Sequence, residues 1–159
     1  MRLFLDSTYF FPLIGVAVTT VEPNFLERLI KETSHQLLYS SITLFELSAK
    51  GAKLVSAHRL READVTNGLT ALRDWDSLSL VDPWSREVQQ LAFYFRKNHT
   101  DFIDCLLLAS AVIYADGFVS EDEELSNLVD QQWETRIRVQ NAAFQVFTAC
   151  GLKETFEKG

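Results

Sequence analysis

With 159 residues, 47% of them hydrophobic and 23% charged, the chain can bury one substantial core and is too short for two ordinary domains, so one domain over residues 1–159 is expected. A formal net charge of -7 excludes a nucleic-acid binder that works through a broad basic face; a polyanion would have to be met by a local basic patch or by bound cations. The only cysteines, Cys105 and Cys150, lie far apart without CxxC spacing, which excludes a disulfide framework or thiolate zinc site and fits a reducing, cytoplasmic setting.

In chain order, Arg2 to Leu5 is mostly apolar and runs into Asp6, Ser7 and Thr8, the pattern of a strand passing into a helix N-terminus. Asp6 and Pro12 interrupt the apolar start, no small-residue cleavage site follows, and no run nears the roughly 20 residues of a membrane helix, so neither a leader nor a membrane role is expected. Phe10 to Val18 reads as an apolar helix or turn broken by Pro12 and Gly15. Glu22-Pro23-Asn24 stops one element and starts another, in which Phe25, Leu26, Leu29 and Ile30 recur at helical spacing until it frays near Thr33 to His35. Leu37, Leu38, Tyr39 and Ile42 form a second strand, with Ser40, Ser41 and Thr43 as caps for a helix carrying Phe45, Glu46, Leu47, Leu54 and Val55. The segment to Trp75 is a helical hairpin whose break falls at Gly51 or at Asn67-Gly68. Leu78 to Val81 is a third strand, and Asp82-Pro83 supplies a cap and first-turn proline for a helix with Val88, Leu91, Ala92 and Phe95 on one face. Asp101 and Asp104 open a long apolar helix, Phe118 to Ser120 is a fourth strand, and an acidic turn with Asp122 follows. Beyond Trp133 the periodicity is mixed: Ile137 and Val139 alternate with Arg136, Arg138 and Gln140, and Phe144 to Phe147 is a strand candidate before a short terminal helix.

Strands separated by helical segments imply an α/β fold with a parallel sheet covered on both faces. In such sheets ligands bind beyond the carboxyl ends of the strands, where strand order reverses. Asp6 follows the first strand, Glu46 lies a turn beyond the second, Asp122 follows the fourth, and Asp104 can join them from the start of its helix. Two unit charges about 4 Å apart repel by roughly 4 kcal/mol at an effective dielectric of 20, so clustered carboxylates call for protons, water or a cation. With oxygen ligands only, Mg²⁺ or Mn²⁺ is favoured over zinc, and such a site can hydrolyse a phosphodiester without a nucleophilic side chain. The bland reading is capping: Asp101 with Asp104 as one box, Ser120 with Glu123 as another, and Asp122 drawn to a helix N-terminus. A receiver-like phosphoacceptor domain would need an acid pair at the first strand, and a haloacid-dehalogenase-like phosphatase a second Asp two residues after Asp6; neither is present.

Taken in order, LFLDST, SSITLFEL, DFIDCLLLASA and GFVSEDEEL resemble the four acidic motifs of PIN domains, and the resemblance runs from Arg2 to about Leu125. It implies a three-layer α/β/α sandwich around a parallel sheet, with Asp6, Glu46, Asp104 and Asp122 holding Mg²⁺ or Mn²⁺ for RNA hydrolysis. Ser120 stands where such proteins often carry Thr, to orient a ligand or water, and Asp101 is a cap or a supporting group. Many small members are VapC-type toxins, usually dimeric and neutralised by a VapB-type antitoxin, so RNA, an antitoxin and a second copy are the implied partners. The alternatives are an RNA-processing nuclease that is not a toxin and a non-catalytic module. The acidic balance and the Gln131-Gln132-Trp133 segment depart from the family pattern. Lys50, Lys53, His58, Arg59 and Arg61 follow Glu46 with no intervening acid after Lys50, which reads either as an RNA-backbone contact or as a solvated helix face. His35, His58 and His99 lack metal or dyad spacing and are expected in ordinary surface roles; Trp75, Trp84 and Trp133 are expected in core or interface.

Overall fold

The computed structural model describes residues 1–22, 24–31 and 35–152. Strand β1 (Arg2–Leu5) leads into a 3-10 helix (Ser7–Ile14), then α1 (Phe25–Lys31), β2 (Gln36–Ser40), α2 (Ser41–Ser56) and α3 (Glu62–Arg73). There follow β3 (Leu78–Val81), α4 (Arg86–Phe95), α5 (Phe102–Tyr114), β4 (Gly117–Val119), α6 (Glu123–Leu128), a π-helical turn (Val129–Trp133), α7 (Glu134–Gln140) and β5 (Gln145–Phe147). The five strands form one sheet in the order β3-β2-β1-β4-β5, every pair parallel. The chain steps outward from β1 to β3, then returns across the sheet to place β4 on the other side of β1. Strand order therefore reverses between β1 and β4, the place where an open α/β sheet leaves a crevice.

Alternation along the strands splits the core into two layers. Phe4, Leu38 and Phe118 point to the face covered by α4, α5 and the α6–α7 segment. Leu3, Leu5, Leu37, Tyr39 and Val119 point to the face covered by the 3-10 helix and α1 to α3. The α/β/α sandwich and parallel sheet expected from the residues are thus present. Helix α5 is apolar all round because it is buried all round: every residue from Cys105 to Val112 is buried, and the Ser110 hydroxyl is satisfied by donating to the Leu106 carbonyl at 2.7 Å.

Several local expectations are corrected. Ile42 belongs to α2, because Ser40 ends β2 and caps the helix by accepting from Ile42 N at 3.1 Å. The α2–α3 break falls at residues 57–61, with His58 in the left-handed region (φ 56°), and not at Gly51 or Asn67-Gly68. Gly68 lies inside α3 because a Cβ there would stand 2.2 Å from the Leu13 carbonyl oxygen; it lets the helix seat on the 3-10 turn. Asp82 makes a local turn by accepting from Trp84 N at 3.1 Å, and Ser85 caps α4. The alternating stretch Arg136 to Gln140 is helical, and β5 begins at Gln145. Residues 149–152 are helical, the rest of the expected terminal helix lies outside the described residues, and so does the expected fraying at Thr33. Trp133 is fully buried, Trp75 half-buried, and Trp84 stands 64% exposed. No helix among the described residues is long and apolar enough to cross a membrane.

Candidate active site

Asp6 is placed by sheet geometry. Its backbone N–H donates to Val119 O at 3.0 Å, so the end of β1 is tied to the end of β4. Its Oδ2 accepts from the Ser120 hydroxyl at 2.6 Å, and its Oδ1 accepts a long 3.4 Å bond from Thr8 N. Burial pushes the carboxyl up to about 6, the Ser120 and Thr8 donors pull against that, and the charges of Asp104 and Asp122 push it further. Ser120 also accepts from Asp122 N at 3.2 Å, so one hydroxyl links the first and last acids.

Glu46 sits on the second turn of α2 and accepts from the Ser7 hydroxyl at 2.5 Å. Ser7 has one proton to give and gives it to the carboxylate, so its 2.9 Å contact with the Thr43 hydroxyl is one in which Thr43 donates. Both hydroxyls are buried. Burial and then the neighbouring acids Asp6, Asp104 and Asp101 push Glu46 up to about 7, against the Ser7 bond. Asp104, on the first turn of α5, is held above the usual carboxylate range by burial and by the charges of Asp101 and Asp122, with His99 opposing. Asp101 caps α5 by accepting from Ile103 N at 2.8 Å, and Asp122 caps α6 by accepting from Leu125 N at 3.0 Å.

The four sequence-predicted acids are therefore electrostatic neighbours at the carboxyl edge beside the β1–β4 switch point. Asp101 also lies within reach of their fields, as a cap. The capping-box expectation is half right: Asp101 caps alone, and Asp104 is engaged elsewhere. Ser120 contacts two of the acids but does not pair with Glu123 in a box. On helical geometry Glu46, Lys50 and Lys53 share one stripe of α2, at i, i+4 and i+7. Lys50, Lys53 and Arg59 are exposed, whereas Arg61 is engaged by Asp64 through bonds of 2.8 and 2.6 Å.

The donor chemistry fits a hard divalent cation, since all four groups are carboxylates and two are held well above their ordinary pKa by burial beside other acids. As the side chains stand, no three His, Cys, Asp or Glu groups among the described residues enclose a single ion position. An ion would have to draw them together.

His99 corrects the surface expectation. It is 5% exposed, with Nε2 3.0 Å from Asp104 Oδ2 and Nδ1 3.2 Å from Glu124 Oε1. Burial disfavours its charged form, but the two carboxylate bonds outweigh burial and its pKa is raised. Ser7 and Thr43, expected only as residues of helix starts, also join the site, and so does Glu124. A signal existed for the first two, in the polar run after β1 and in the Thr43-to-Glu46 spacing of three; none existed for His99. Glu121 is a second unforeseen acid, accepting from the Tyr9 hydroxyl and from Ala149 N, each at 2.7 Å, which pins the residues after β5 to the sheet edge.

No protein-family model matches the chain, and no curated protein matches it. Among solved structures it is similar to a chain of VapBC2 from Rickettsia felis bound to a DNA fragment from their promoter, at 17% identity and a TM-score of 0.58, with 93% of this chain and 98% of that one covered. It is likewise similar to a chain of DNA-bound VapBC from Salmonella typhimurium, at 19% identity and a TM-score of 0.53, with 94% and 99% covered. With both chains covered almost end to end, what is shared is the α/β fold.

Proposed function

We propose that the chain is a Mg²⁺- or Mn²⁺-dependent endoribonuclease, the toxin of a type II toxin–antitoxin pair. The observation that carries this reading is the convergence of Asp6, Glu46, Asp104 and Asp122 at the β1–β4 switch point, with Asp6 raised to about 6 and Glu46 to about 7. The likeness to chains of VapBC complexes and the four PIN-like motifs support it. On this reading the four carboxylates hold the metal, which supplies an activated water and offsets charge on the leaving oxygen. Ser120 and Ser7 fix the rotation of Asp6 and Glu46. Lys50 and Lys53 on α2 and Arg59 in the turn after it meet the RNA backbone, with Arg61 joining if Asp64 releases it. The partners are an antitoxin of the VapB kind and a second copy of the chain, in the cytoplasm.

The test is Mn²⁺ titration and RNA cleavage with purified, antitoxin-free chain. Wild type binds Mn²⁺ and cleaves; Asp6→Asn lowers cleavage by at least about 100-fold, the scale of losing one preorganised electrostatic group from a site. Cleavage that is metal-independent or equal in Asp6→Asn sinks the proposal. Growth arrest on expression that vanishes with Asp104→Asn separates a toxin from a processing nuclease. Carboxylates that do not enclose a single ion position as they stand favour, as a second reading, a non-catalytic module; partner binding and biological effect untouched by substitution of the acids would support it.

A further inference from the structure

His99 lies outside the four acidic motifs, yet it is the largest polar side chain buried beside them. Arg96, just past α4, donates from Nη1 to the His99 carbonyl at 3.0 Å. The indole of Trp133 stands edge-on to the imidazole, 6.5 Å between centroids at 86°, and is itself packed on Phe95 at 4.5 Å. Trp133 belongs to the π-helical turn, and Glu124, which meets Nδ1, to the first turn of α6. The ring is thus held by Glu124, inside the fourth acidic motif, and by Trp133, in the segment that departs from the PIN-like pattern. A carboxylate only accepts, so the Asp104 contact is one in which Nε2–H donates to Oδ2. That bond fixes the rotation of the Asp104 carboxylate and leaves Oδ1 as the oxygen available to a ligand.

We propose that His99 is a positioning residue: held by Glu124 and Trp133, it orients Asp104 so that Oδ1 faces the crevice where a divalent cation binds. The proposal rests on the reading of Asp104 as a metal ligand given above. Groups that orient a ligand's far side tune metal affinity even though they never touch the ion.

Calorimetric titration of Mn²⁺ into the metal-free full chain tests it, with His99→Gln and His99→Asn compared against wild type. Gln can carry its amide nitrogen close to the Nε2 position and still donate to Asp104; Asn is too short. Both are polar and smaller than the ring, so a merely structural role treats them alike. The expected result is a loss of affinity of about tenfold or more in His99→Asn and within about threefold in His99→Gln. Unchanged affinity in His99→Asn, or equal loss in both variants, overturns the proposal. A metal-free arm reads the bond directly: the imidazole Nε2–H proton resonance is protected from exchange in wild type and loses that protection in Asp104→Ala, and protection that survives Asp104→Ala overturns the proposal as well. A wild-type chain that binds no Mn²⁺ removes the proposal together with the metal reading, whereas wild-type binding that His99→Asn leaves intact removes the proposal alone.

Discussion

Asp6 must accept hydrogen bonds from Ser120 and Thr8 while sitting beside two other acids, and its raised pKa records which demand wins. At pH 8 the ionised carboxylate is held against its surroundings. Asn keeps an oxygen acceptor and removes the charge, so Asp6→Asn should stabilise the metal-free chain at pH 8 by on the order of 1–2 kcal/mol, roughly 3–6 °C in melting temperature. The gain should shrink as pH falls through 6, where wild-type Asp6 takes up its proton. A thermal melt of both proteins across this range checks the sign, and a destabilised variant at pH 8 would contradict it. Asp6 was legible in the sequence because a carboxylate in an apolar run needs a reason to be there. His99 was not, since its partners come from α5 and α6 and only their packing brings them to it.

At the scale of elements, close approach and surface charge decide different things. Helix α3 seats on the 3-10 turn through Gly68, where an added Cβ meets Leu13 backbone atoms that cannot swing aside. Gly68→Ala should therefore destabilise by about 1–3 kcal/mol despite alanine's better helix propensity, as a lower denaturation midpoint with unchanged slope would show. On the exposed side of the same helical layer, the stripe of Lys50 and Lys53 runs on from Glu46. Replacing both with Gln should weaken binding of single-stranded RNA by catalytically inactive Asp6→Asn chain. The slope of log affinity against log salt should fall by roughly 0.7 for each phosphate no longer neutralised. An unchanged slope would assign the stripe to an ordinary solvated face. Gly51 and Gly68 looked like breaks because glycine marks turns as often as close approaches; the sequence does not say which when the neighbour is remote.

For the whole molecule, the acidic edge sets the pH dependence. Asp6 and Glu46 have folded values of about 6 and 7 against ordinary values of 3.8 and 4.5, and Asp104 and His99 are raised as well. A group whose folded pKa is raised gives its full stabilisation below the unfolded value and loses it as pH rises through the folded one. The metal-free chain should thus melt higher near pH 5 than near pH 8, losing stability mainly between about pH 4 and pH 7. Asp64 and Asp116 are lowered by their bonds to Arg61 and Arg2 and act in the opposite sense, but only near and below about pH 4. Saturating Mn²⁺ should reverse the trend, since it binds the ionised carboxylates, and about 100 times the dissociation constant would add roughly 2.7 kcal/mol. Differential scanning calorimetry with and without metal measures both, and a metal-free melting temperature that climbs from pH 5 to pH 8 would refute the account.

The residues by themselves determined the α/β class, four strands to within two residues and the fifth, as a candidate, to within one, and the order in which acids leave strand ends, because those follow from periodicity, caps and the placement of charge in apolar runs. They could not determine strand order, and with it the crevice between β1 and β4, because pairing of parallel strands is a long-range choice made by packing both faces of the sheet. Nor could they show that Ser7 and Thr43 serve Glu46, that Glu121 anchors the residues after β5, or that Trp133 and Glu124 hold His99 against Asp104. Apart from His99 with Asp104, those pairings join residues 25 to 39 positions apart, on elements whose orientation the sheet sets. Only the tertiary structure decides them.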